Sequence, residues 1–141
     1  MNDKDYSDSI AIVWPVENFP DIEEAHCTII YLGKISEVDF TKEDVQYVLD
    51  KLPLVSPGNA PTTSTDLFGK DNDVPVVLLE PTYQIKLDKF LIESALSVLN
   101  IHNASEFADN YRPHVTLTSI FDEAPEFFVL GSPVLWWGNE R

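Results

Sequence analysis

Cysteine, histidine and glycine are all scarce in this chain of 141 residues, with one, three and five copies respectively. A single cysteine, Cys27, excludes an internal disulfide and suits a reducing, cytoplasmic setting. With so few histidines and no closely spaced His/His or Cys/Cys pair, there is no ligand set of the usual zinc spacing. The glycines form neither a phosphate-cradling loop nor a dinucleotide fingerprint, and no G-x-S-x-G elbow offers a serine nucleophile. There is no apolar run of transmembrane length and no cationic start leading into an apolar segment, so the sequence predicts no membrane span and no secretion signal.

Positive charge is scarce too. Nine Lys and Arg face 24 Asp and Glu, a formal net charge of -15. Such a chain repels long polyanions and lacks a basic footprint, which disfavours duplex or genomic nucleic acid as a partner. A small anion in a cleft is still allowed, because the local field there can oppose the global one. Lys34, Lys70, Arg112 and Arg141 are the cations to look for beside such a cleft.

Apolar residues, in contrast, make up 44% of the chain. A chain of about 150 residues buries roughly two thirds of its unfolded surface, so one domain over residues 1–141 can hold a sizeable core. After a polar lead-in over residues 1–8, Ile10 to Trp14 reads as a buried strand ended by Pro15, and Ala25 to Leu32 as a second, closed by Gly33. Strict alternation puts Ile30 and Leu32 on the His26 face, with Cys27, Ile29 and Tyr31 on the other. Thr41 with Asp44 forms a capping box ahead of a helix ended by Pro53, and Ser56 to Asp66 reads as a loop. Val74 to Leu79 is a strand after a turn, and Leu87 to Leu99 an amphipathic helix. His114 to Ile120, Phe127 to Leu130 and Val134 to Trp137 complete the strands. This order, without regular alternation of strand and helix, predicts an α+β fold with antiparallel sheets.

One pattern occurs twice. His26-Cys27-Thr28-Ile29-Ile30 is matched 88 positions later by His114-Val115-Thr116-Leu117-Thr118, which Tyr111-Arg112-Pro113 precedes. Alternate side chains of a strand share a face, so each histidine stands beside its own threonine, and the two strands imply pseudo-twofold halves. Near an ordinary pKa of about 6.5, one imidazole can be neutral while the other is charged. That supplies a base and an acid without a metal, while the hydroxyls donate to phosphoryl oxygens. His102 has no threonine two positions on and reads as a surface or capping residue near a helix end.

These paired motifs resemble those of the 2H phosphoesterase superfamily, the LigT-like two-histidine phosphodiesterases, and Pro113 and Leu117 fit the same pattern. The resemblance implies a bilobal α+β fold, with two pseudo-symmetric antiparallel sheets lining a central cleft and helices outside. It implies catalysis by His26, Thr28, His114 and Thr116, with no cofactor and no metal. The substrate would be a small nucleotide: a cyclic nucleotide, a cyclic di- or oligonucleotide, or a 2′,3′-cyclic phosphate. One histidine would deprotonate water or a ribose hydroxyl and the other protonate the departing oxygen, the two roles being left open. Compactness and acidity resemble stand-alone phage or bacterial members, among them phage enzymes that destroy antiviral cyclic nucleotide signals in the host cytoplasm. RNA-end processing is the alternative within the family. A nucleotide-sequestering module or phage accessory domain, without turnover, is the alternative from another class. Trp14, Arg112 and Trp137 are the candidate substrate contacts, with Phe121 and Trp136 as further aromatic faces. Of the adjacent Trp136 and Trp137, one points inward and the other outward.

Overall fold

The computed structural model describes residues 7–104, 111–119 and 122–140. Among them the elements run β1 (Ser9–Pro15), β2 (His26–Lys34), α1 (Lys42–Lys51), β3 (Gly58–Phe68), β4 (Val74–Leu79), α2 (Tyr83–Val98), β5 (His114–Thr116), β6 (Phe127–Leu130) and β7 (Val134–Trp137). Every pairing is antiparallel, and the strands lie in the order β6-β3-β4-β5-β2-β1-β7. The fold is therefore α+β, with one seven-stranded sheet where two separate sheets were expected. Among the described residues no helix is long and apolar enough to cross a membrane.

One face of the sheet is covered. Ile12, Trp14, Cys27, Val77 and Val115 pack with Val45 and Leu49 of α1 and with Ile85, Ile92 and Leu96 of α2. Burying each such side chain is worth about 1.5–3 kcal/mol, so this core commits both helices to one face of the sheet; on the other face Val13 and Val76 are buried without a helix over them. Helix α1 starts as the sequence predicts: Thr41 Oγ1 accepts from the Asp44 amide, and the Asp44 carboxylate accepts from the Thr41 amide, both at 3.1 Å. Helix α2 starts earlier than the apolar period indicates, at Tyr83, with Thr82 as its cap. That first turn puts only Ile85 into the core, too little for an apolar period to show; Asp88, one turn on, is also fully buried.

Three further differences have local causes. Ile12 pairs with Ile30 and Val13 with Thr28, so Ile29 is an extra residue in β2, a β-bulge. Past the bulge the alternation is offset, and Ile30 lies opposite Ile12 on the covered side rather than beside His26. Residues 58–68, read in large part as a loop, form strand β3; their threonines favour strands but are mostly exposed and give no apolar alternation. Pro61 sits where β3 changes partner, from β6 over Gly58–Pro61 to β4 over Thr62–Phe68, a position that tolerates a missing N–H. Strand β5 ends at Thr116, short of Ile120, because Asp122 accepts from the Thr118 amide and hydroxyl and the Ser119 amide in a turn. Ile120 and Phe121 lie outside the described residues.

The ends are tied as well. Of the polar lead-in, residues 1–6 lie outside the described residues, whereas the Asp8 carboxylate accepts from the Ser36 amide at 3.0 Å and hydroxyl at 2.7 Å. Strand β6 bonds β3 on one side and the end of β1 on the other, where Glu17 N donates to Val129 O and Gly131 N to Pro15 O.

Candidate active site

Strands β2 and β5 meet at one rung, Cys27 opposite Val115. Both side chains are fully buried on the covered face. The neighbours on either side therefore emerge on the other face, with His26 opposite Thr116 and Thr28 opposite His114. Opposed residues in such a pair stand about 4.5–5.5 Å apart at Cβ and diagonal ones roughly 7–8 Å. The two histidines occupy one diagonal and the two threonines the other, around a pseudo-twofold axis through the Cys27–Val115 rung.

The symmetry continues outward. In β1, Pro15 and Val13 lie opposite His26 and Thr28; in β4, Leu78 and Val76 lie opposite His114 and Thr116. One strand further, Val134 and Trp136 of β7 correspond to Asp66 and Phe68 of β3. Each histidine accordingly meets one aromatic ring edge-on: Trp136 at 4.3 Å from His26 and Phe68 at 4.6 Å from His114, between centroids.

The imidazoles are also fixed alike. Nδ1 of His26 lies 2.9 Å from the Glu24 carbonyl and Nδ1 of His114 lies 2.8 Å from the Arg112 carbonyl, in each case two residues upstream. A carbonyl only accepts, so Nδ1 is the donor in both, and Nε2 is the basic nitrogen of the neutral ring. Glu24 reaches this geometry at φ 54, a left-handed conformation costing a residue with a Cβ about 1–2 kcal/mol. Tyr111 links the motifs directly, its hydroxyl donating to the Thr28 carbonyl at 2.7 Å. Burial raises the Tyr111 pKa well above its usual value and pushes the Cys27 thiol up to about 12, so both stay neutral beneath the site.

A scan against protein-family models and a search of curated proteins return no match. His26, Thr28, His114 and Thr116 are brought together on one face. Arg112 is exposed at its margin; its guanidinium donates to Asp66 Oδ2 at 2.6 Å and lies 4.9 Å over the Phe68 ring. That guanidinium and the Leu67 amide hold the Asp66 carboxyl below the usual carboxylate range.

Two expected contacts are corrected. Trp14 is fully buried on the covered face, its Nε1 donating to Asp88 at 3.2 Å, so it has no face to offer a base. Trp137 pairs with Ile10 and packs edge-on with Phe40, again on the covered side, whereas Trp136 is the tryptophan beside His26. His102 is exposed and lies 3.1 Å from Asn100 Oδ1, away from the motifs in the helix exit. A depression lined by Thr65, Asp66, Leu67, Asn72, Pro75 and Leu117 includes neither motif histidine, and its apolar members share the face of Val77 and Val115. Among the described residues no three His, Cys, Asp or Glu side chains cluster as a metal site would.

Proposed function

We propose that the chain is a metal-independent phosphodiesterase of the 2H type that acts on a small nucleotide. The observation that carries this is the duplicated lock on the imidazoles: two histidines related by a pseudo-dyad, each held through Nδ1 by the carbonyl two residues upstream. A structural histidine needs no such twin. The mirrored registers on either side of the Cys27–Val115 rung support reading the sheet as two fused lobes around one cleft.

The chemistry follows from the diagonal placement. A phosphorus centred over the rung has a histidine on each side, so one Nε2 takes the proton of the attacking water or hydroxyl. The other, protonated, delivers its proton to the oxygen that leaves on the opposite side. The Thr28 and Thr116 hydroxyls, on the crossing diagonal, donate to the nonbridging oxygens, where negative charge grows. Water as nucleophile opens a cyclic phosphate to a monoester.

The test is turnover, in EDTA, of mononucleoside 2′,3′-cyclic phosphates, 3′,3′-cyclic dinucleotides, 2′,5′-linked oligonucleotides and short RNA, for wild type, His26→Ala and His114→Ala. Each substitution is expected to lower kcat by about 10²–10⁴-fold or more. Wild-type activity that needs an added metal, or variants as fast as wild type, would sink the proposal. Nucleotide-dependent thermal stabilisation without any turnover would favour a sequestering module instead.

A further inference from the structure

The pseudo-twofold axis gives each group beside His114 a counterpart beside His26, and the two surroundings differ in charge. Arg112, whose carbonyl holds His114, corresponds to Glu24, and Asp66 corresponds to Val134. The aromatic positions are conserved in kind, as Phe68 and Trp136. Only the His114 side therefore carries, at these positions, a cation fixed in place. Its guanidinium is fastened to Asp66 at 2.6 Å and lies 4.9 Å over Phe68, the ring that abuts the imidazole. An ion pair with both side chains 43% exposed adds little to stability. A guanidinium has five donors in a planar fork suited to phosphate, and the Asp66 bond takes only one nitrogen.

We propose that Arg112, positioned by Asp66 and Phe68, is a second anion subsite on the His114 side of the cleft. The substrate is then a phosphodiester carrying a further phosphate on that side, as dinucleotides and cyclic dinucleotides do and mononucleoside cyclic phosphates do not. The charge difference also sets its direction: the second phosphate lies toward Arg112, and the neutral nucleoside part lies toward the exposed Val134 on the His26 side. The identity of the first phosphate rests on the phosphodiesterase proposal; the subsite itself stands on the Arg112 geometry.

The test measures kcat and KM of wild type, Arg112→Ala and Arg112→Lys on a 3′,3′-cyclic dinucleotide and on a mononucleoside 2′,3′-cyclic phosphate. Calorimetric binding of a phosphorothioate cyclic dinucleotide runs in parallel and needs no turnover. The expected result is a rise of about tenfold or more in KM and Kd for the dinucleotide of R112A, beyond any change for the mononucleotide, with partial recovery in R112K. An equal loss of kcat on both substrates would mean that Arg112 only supports His114, and together with unchanged binding it overturns the subsite. Turnover that is indifferent to Arg112 overturns the subsite and leaves the phosphodiesterase standing. Arg112-dependent binding without turnover upholds the subsite and sinks the phosphodiesterase. A wild type that binds neither compound overturns both.

Discussion

A carbonyl two residues upstream decides which nitrogen of each motif histidine is left basic, and a threonine hydroxyl stands two residues downstream. The hydroxyls are the groups proposed to stabilise charge in the transition state, so Thr28→Val and Thr116→Val keep shape while removing a donor. Each is expected to lower kcat by about 10²–10³-fold with little change in KM, as losing one such donor does elsewhere. A rise in KM with unchanged kcat would assign these threonines to ground-state binding. The histidines and threonines were legible because their spacing shows in the chain itself. Phe68 and Tyr111 were not, since their positions depend on the β3–β4 register and on one long-range hydrogen bond to Thr28. The choice between Trp136 and Trp137 depended likewise on pairing with β1, where Ala11 opposes Trp136.

At the scale of elements, the sequence was clearest where a local rule was complete, as in the Thr41–Asp44 capping box, and weakest where few apolar side chains mark an element, as in the first turn of α2 and in β3. Helix α2 also carries a buried polar group, Asp88, which accepts from Trp14 Nε1 at 3.2 Å and Gln84 Nε2 at 2.8 Å beneath the sheet. Burial raises its pKa above the usual carboxyl value of 3.8, against the hydrogen bonds, which lower it. The native state then holds the proton more tightly than the unfolded chain. Its contribution to stability is thus fully present below the unfolded pKa, and is lost as pH rises through the raised native one. Asp88→Asn keeps an acceptor for Trp14 and lets Gln84 turn its amide. The variant is expected to be more stable than wild type at pH 7, with the gain shrinking toward zero as pH falls to about 4. Denaturant unfolding of both proteins across that range checks it; a variant less stable at pH 7 would mean that the charged carboxylate's hydrogen bonds outweigh its burial.

Over the whole molecule, charge was legible in amount but not in arrangement. The sequence states a net charge of -15 and sets Arg112 and Glu24 two residues before the motif histidines, yet nothing in it says that Asp66 and Phe68 of β3 hold the Arg112 guanidinium. Ion pairs among the described residues include Lys42–Glu140, Lys89–Glu93 and Arg112–Asp66, and nine Lys and Arg are too few to match 24 Asp and Glu one to one. Self-repulsion among these carboxylates opposes the compact state and acts over a distance that salt controls. Raising ionic strength from about 0.01 M to about 0.15 M shortens the screening length from roughly 30 Å to roughly 8 Å. Repulsion spread over the surface is weakened more by that change than contacts of 2.6–3.4 Å. The melting temperature is therefore expected to rise with sodium chloride over this range at pH 7, and the rise to be smaller at pH 5, where some carboxylates are already neutral. A melting temperature that falls with salt would show instead that the few cations, through their ion pairs, contribute more to the fold than the excess of negative charge takes away.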